Sequence, residues 1–287
     1  MEEMDQYIQD VLDLIEYANG DARKTVWGKK RAEAGHPKPF NLKFIGIGNE
    51  DMITPVFVER FKMIFDAVKA KHPEVTVIGT TGPFYEGTDY EVGWDLATEL
   101  GVPMVDEHYY VEPGWMIHNQ EYYDHYDRSK AKVYLGEYAA HLPGRPNNVE
   151  TALAEALYLT AVERNGDVVE MTSYAPLLCK DGYHNWNPDM IYFDNSEKIR
   201  LTESYKMQKM FGQHSGDTYI VSSLNLPAAL KKYVGTSVVK DSKTGKTWLK
   251  VVNALPRTLK LQVKAQGTGA GNKQVEVKAR SAEVFEL

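Results

Sequence analysis

Residues 44–55 read FIGIGNEDMITP: an apolar run of Phe44, Ile45 and Ile47, closed by Gly48-Asn49-Glu50 and followed by Thr54-Pro55. A short apolar stretch without alternation, bounded by turn residues, is how a strand buried on both faces reads. Thr54 as cap and Pro55 in the first turn open a helix that runs to about Lys71, before Pro73. Strand followed directly by helix is the β/α unit of a parallel sheet.

The same pattern repeats outward. Val75 to Thr80 is a strand, with the Gly82-Pro83 turn and a helix over Asp89–Leu100 behind it. Val102 to Glu107 is a third strand, and Lys132 to Gly136, ending in Glu137, a fourth. Asn147 with Glu150 predicts a capped helix start, Gly166 ends that helix, and Val168 to Tyr174 is a fifth strand. Upstream, Tyr7, Ile8, Val11, Leu12, Leu14 and Ile15 recur at helical spacing, while the basic residues 21–40, with Pro37 and Pro39, read as a loop. Past Gln213 the texture changes to short β-rich pieces at Tyr219–Val221, Val238-Val239, Trp248–Val252, Leu259–Val263, Val275–Val277 and Val284-Phe285, the spacing of a small antiparallel sandwich. The expected division is an α/β region over 1–215 and a β-sandwich over 216–287. A closed (β/α)8 barrel needs eight strands, and five are legible.

Composition narrows the function. The 287 residues carry 33 Lys+Arg against 40 Asp+Glu, a net charge of −7 that works against a nucleic-acid backbone or an anionic membrane as partner. There is no run of eighteen apolar residues to span a membrane, and MEEMDQYIQD lacks the basic and apolar regions of a signal peptide. Secreted, periplasmic and cytoplasmic locations all stay open. The single Cys179 allows no intrachain disulfide and leaves no cysteine-based metal site to assemble; after Leu177 and Leu178 it reads as a small buried hydrophobe. No nucleophile elbow, phosphate loop or dinucleotide fingerprint is present.

In parallel β/α folds, reactive side chains collect at the C-terminal ends of strands, and here two ends carry glutamate, Glu50 and Glu137. A carboxylate there is unfavourable unless it is hydrogen-bonded or working. Two carboxylates about 5–5.5 Å apart form the nucleophile and acid/base of double-displacement glycoside cleavage; the competing reading is a pair of solvent-facing acids. Asn49 is placed to bind a sugar hydroxyl beside Glu50, or is a plain turn residue. His108 and Tyr110, two apart, share one side of an extended segment, and a tyrosine O–H donated to Glu137 would keep it ionised. Asp106, Glu107 and His108 make a poor metal site, because consecutive strand residues face opposite ways. Trp186, in the turn-rich 182–188 segment, is placed to stack on a sugar or to pack a surface loop. Trp94 and Trp115 read as packing residues.

FIGIGNED at 44–51, DEHYY at 106–110, YLGEYAAH at 134–141 and NWNPDMIYFDN at 185–195 together resemble the α-L-arabinofuranosidases of glycoside hydrolase family 51. The resemblance implies Glu50 as acid/base, Glu137 as nucleophile, Asn49 on the sugar 2-hydroxyl, and Tyr110, His108 and, more loosely, Trp186 around the substrate. It implies removal of terminal α-L-arabinofuranosyl groups from arabinan, arabinoxylan or their oligosaccharides, with no metal or other cofactor. It also aligns the five strands with the fourth to eighth of a (β/α)8 TIM barrel, leaving the first three outside this chain and making Met1 an internal methionine. Such a fragment is expected to be weakly active or inactive alone, and to pair with the missing barrel half or with itself. The alternatives are a β-glycanase of the same clan and an inactive carbohydrate-binding scaffold; the latter has little reason to keep both glutamates.

Overall fold

The computed structural model describes residues 2–264 and 272–287. Five strands, β1 (Phe44–Ile47), β2 (Thr76–Thr80), β3 (Met104–Val111), β4 (Lys132–Ala140) and β5 (Val169–Tyr174), form a parallel sheet in sequential order. Between them run α3 (Pro55–Lys71), α4 (Thr88–Leu100), α5 (Pro113–His118) and α6 (Val149–Arg164), after α1 (Glu2–Asn19) and α2 (Val26–Glu33) at the start. The chain divides into two compact units, Met1–His108 with Arg128–Leu135, and Tyr109–Asp127 with Gly136–Leu287.

In the first unit β1 pairs with β2 and β2 with β3, Phe44 facing Thr76 and Ile78 facing Met104. The Thr54 hydroxyl accepts from Phe57 N–H at 3.3 Å, and α3 buries Phe61, Ile64, Phe65 and Val68. Residues 21–40 are not simply a loop. Thr25 caps α2, whose Arg31 is completely buried and donates to the carbonyls of Tyr17 at 2.8 Å and His36 at 3.0 Å. A guanidinium that satisfies the orphan carbonyls at the end of α1 is a core residue, so its charge gives the wrong signal in sequence.

In the second unit α6 buries every residue from Thr151 to Val162. It packs against α5, α7 (Glu203–Gln213) and strands β10 (Val234–Lys240) and β11 (Thr247–Asn253), so it needs no polar face. Gly235 allows the approach: a Cβ there would stand 2.6 Å from the Thr160 hydroxyl. At the end of α6, Glu163 accepts from Lys250 and Ser237 of the sheet. The cap is one residue later than expected. Asn148 accepts from Thr151 N–H while the Thr151 hydroxyl takes the Asn148 N–H, and Asn147 instead bonds Ser204 at 2.9 Å.

The segment after β3, aromatic and unplaced in sequence, forms α5 and a short turn of helix at Tyr122–His125. They close over a core in which the Tyr109 hydroxyl meets those of Tyr123 and Tyr158 at 2.9 and 2.8 Å, with the Trp115 ring against those of Tyr109 and Tyr158. Also not foreseen were α7 and a small sheet of β6 (Leu178–Lys180), β7 (Ile191–Phe193) and β8 (Ile199–Leu201). The C-terminal antiparallel strands form a four-stranded sheet, β14 (Ser281–Glu286), β11, β10 and β9 (Thr218–Tyr219), and a β12 (Leu259–Val263) to β13 (Lys273–Val277) pair, packed around Val238, Leu249, Val251 and Val277.

Candidate active site

Glu50 stands just past the end of β1, on a turn that only glycine can start. Gly48 has φ +90°, and a Cβ there would lie 2.8 Å from Thr80 and 2.9 Å from the Asp51 carboxylate. Asn49 is exposed and contributes through its backbone: its N–H donates to Asp51 Oδ2 at 2.8 Å and its carbonyl accepts the Thr80 hydroxyl. The Glu50 carboxylate meets His108 Nδ1 at 3.1 Å, and His108 Nε2 meets Asp106 Oδ2 at 3.0 Å. His108 is 1% exposed. A neutral imidazole donates through one nitrogen only, so bonding both carboxylates takes an imidazolium or one protonated carboxyl. The three groups form a line along which a proton can be held or moved. In the same unit Trp94 Nε1 donates to the buried Glu107 at 3.0 Å, which is a packing role.

Glu137 lies within β4, which continues three residues beyond it to Ala140. It is partly buried, and the Tyr110 hydroxyl donates to its Oε2 at 2.6 Å. The Tyr110 ring stacks on His141, centroids 5.0 Å apart, and meets Trp186 at 5.2 Å. Arg145 places its guanidinium 4.4 Å from the Trp186 ring centre. Burial, with the nearby Arg145 charge, pushes the His141 imidazole down to about 4, so it is neutral near pH 7. Its Nε2 is buried and has no hydrogen-bond partner among the described residues. Sequence reasoning singled out neither His141 nor Arg145, although YLGEYAAH ends on the histidine, four residues past Glu137.

Behind this strand, Glu155 of α6 is fully buried and accepts the Ala140 N–H at 3.0 Å. Burial pushes its carboxyl up to about 7. The chain thus carries a Glu50–His108–Asp106 group in the first unit and a Glu137–Tyr110–Trp186 group with His141 in the second.

Two family models cover the chain: the α-L-arabinofuranosidase 1 domain over residues 1–128 and the α-L-arabinofuranosidase C-terminal domain over residues 120–284. The chain belongs to the α-L-arabinofuranosidases of glycoside hydrolase family 51. An extracellular exo-α-L-arabinofuranosidase of Streptomyces chartreusis is 44% identical over 217 residues, 76% of this chain and 26% of the relative. α-L-Arabinofuranosidase 2 of Arabidopsis thaliana is 31% identical over 264 residues, 91% of this chain and 37% of the relative. An arabinose-bound family 51 α-L-arabinofuranosidase superposes with a TM-score of 0.78 at 26% identity, covering 99% of this chain and 50% of that one. The Thermotoga maritima α-L-arabinofuranosidase shares the fold, with a TM-score of 0.73 at 17% identity over 98% of this chain and 73% of its own. This family member therefore spans about a quarter to two fifths of the length of these two curated relatives.

Proposed function

We propose that this chain carries the two catalytic carboxylates of a retaining α-L-arabinofuranosidase that releases terminal α-L-arabinofuranosyl groups from arabinan, arabinoxylan or their oligosaccharides. Glu137 attacks the anomeric carbon while Glu50 gives its proton to the departing oxygen, leaving an arabinosyl ester on Glu137. Glu50, now a carboxylate, takes a proton from water, whose oxygen attacks the anomeric carbon from the face the leaving group vacated, opposite the ester, so that Glu137 departs as a carboxylate and both groups are restored. Asn49 holds the sugar 2-hydroxyl, and Trp186, beside Tyr110, offers a ring face to the sugar.

One strand carries the argument. His108, bonded to Glu50, and Tyr110, bonded to Glu137, are two residues apart on β3, and side chains at that spacing share a face. A proton-exchanging partner for one carboxylate and a charge-fixing partner for the other are what the two roles need. The five strands are read as the fourth to eighth of a (β/α)8 barrel over 1–215, followed by a β-sandwich over 216–287. β1 and β5, the outer strands of the sheet, are the edges against which the first three barrel strands, or a second copy, would pair. Turnover by the 287 residues alone is accordingly weak.

The test uses a 4-nitrophenyl α-L-arabinofuranoside with the chain itself and with a chimera in which it replaces the matching segment of the Streptomyces relative. The first-formed arabinose, followed by proton NMR, is expected in the α configuration, with the chimera much the faster. A β product would remove the double-displacement assignment, and near-normal turnover by the chain alone would remove the incomplete-barrel reading.

A further inference from the structure

Cys179, read from sequence as a packing residue with no metal site to join, has company that sequence spacing conceals. It lies at the centre of β6, and the loop from β6 to β7 brings back His184 and Asp189. The thiol sulfur, an imidazole nitrogen and a carboxylate oxygen all lie within 4.8 Å of one another. We propose that these three side chains form a binding site for a divalent transition metal of the Zn2+ class, separate from the sugar-cleaving carboxylates.

Three observations carry it. Asp189 is 3% exposed, and its Oδ2 is a buried oxygen without a hydrogen-bond partner among the described residues. A bare carboxylate oxygen in the interior is an acceptor waiting for a ligand. His184 Nδ1 lies 2.9 Å from the Trp186 carbonyl, which can only accept, so Nδ1 carries the proton and Nε2 presents its lone pair. A backbone carbonyl holding one ring nitrogen so that the other can bind is the usual support of a metal-ligating histidine. Third, Cys179 is 2% exposed, and a thiolate with a carboxylate would neutralise a dication in a place where net charge is unfavourable.

The donor set selects the metal. Thiolate and imidazole favour Zn2+ over Mg2+ or Ca2+, and three protein ligands leave a fourth tetrahedral position for water. Bonds of about 2.0–2.3 Å put tetrahedral ligand atoms roughly 3.5 Å apart. Closing from the observed spread takes about an ångström, which the exposed His184 can supply. As the metal–sulfur bond forms, the thiol proton leaves to solvent. The bound metal would fasten the loop that carries Trp186 to β6.

Cobalt(II) titrated into the 287-residue chain reports this directly, because Cys179 is the only thiol in the sequence. One equivalent is expected to give a thiolate-to-cobalt charge-transfer band in the near ultraviolet that one equivalent of Zn2+ abolishes. Cys179→Ser removes the band. His184→Ala, at an exposed position where folding is safe, weakens binding by ~10-fold or more, since even the loss of a ligand's hydrogen-bond partner costs that much. A titration without a thiolate band, or a midpoint that His184→Ala leaves unmoved, overturns the proposal.

Discussion

Glu50 and Glu137 are the same residue type in opposite settings. Glu137 sits inside a strand, partly buried, with a phenol at 2.6 Å. Glu50 sits past the end of a strand on a glycine turn, its side chain 38% exposed, against a histidine that itself leans on Asp106. The first setting fixes a position, as the proposed attacking carboxylate requires. The second leaves a carboxyl reachable by water and next to a group that can hold a proton, as an acid/base requires. Their neighbours distinguish the two glutamates more sharply than strand position does, which is what the proposed roles rest on.

The largest effect is expected at the fixed carboxylate. Glu137→Ala in the chimera should reduce turnover to background with every leaving group, measured by steady-state kinetics; residual turnover above background on activated substrates would deny it the nucleophile's role. Glu50→Ala should lower turnover of natural arabino-oligosaccharides by ~10²–10⁴-fold. On aryl glycosides with good leaving groups the loss should be much smaller, because little proton donation is needed, and equal losses on both would erase the contrast. Tyr110→Phe removes one hydrogen bond to a charged group and should lower kcat/KM by about 10–100-fold, with the ring stack on His141 retained.

A separate effect falls on stability, behind β4. The Glu155 carboxyl is raised from 4.5 to about 7 by burial, so between those values the folded state binds more protons than the unfolded one. Stability from this group is complete below pH 4.5 and is lost as pH rises towards and through 7, a total on the order of 3 kcal/mol. Glu155→Gln should flatten that slope in urea unfolding followed from pH 4.5 to 8. His141, lowered from 6.5 to about 4, works in the opposite direction, losing stability as pH falls from 6.5 towards 4, so its slope should remain in the Glu155→Gln protein.

The parallel sheet was legible because apolar runs such as 44–47 and 75–80 are closed by turn residues, Gly48 and the Gly82-Pro83 pair, and Thr54-Pro55 marks its helix without tertiary help. The C-terminal β pieces were legible for the same reason. α2 was hidden because its core residue is an arginine whose partners, Tyr17 and His36, are backbone carbonyls outside the helix. The capping partner of α6 was misplaced because Asn147 and Asn148 are equivalent in sequence, and only Ser204, far along the chain, decides which one caps. His108 and Tyr110 could be placed on one face by spacing alone. The ring pile of His141, Tyr110, Trp186 and Arg145, and the meeting of Cys179 with Asp189, arise from loops whose return has no local signal.

The central claim is that Glu137 forms the bond to the sugar, and intact-protein and peptide mass spectrometry tests it most directly. The chimera is incubated with a 2-deoxy-2-fluoro-α-L-arabinofuranosyl glycoside bearing a dinitrophenolate leaving group, which slows hydrolysis of the ester more than its formation. The account predicts one added fluorosugar per chain, located by fragmentation on Glu137. An adduct on Glu50 or on any other residue would contradict it.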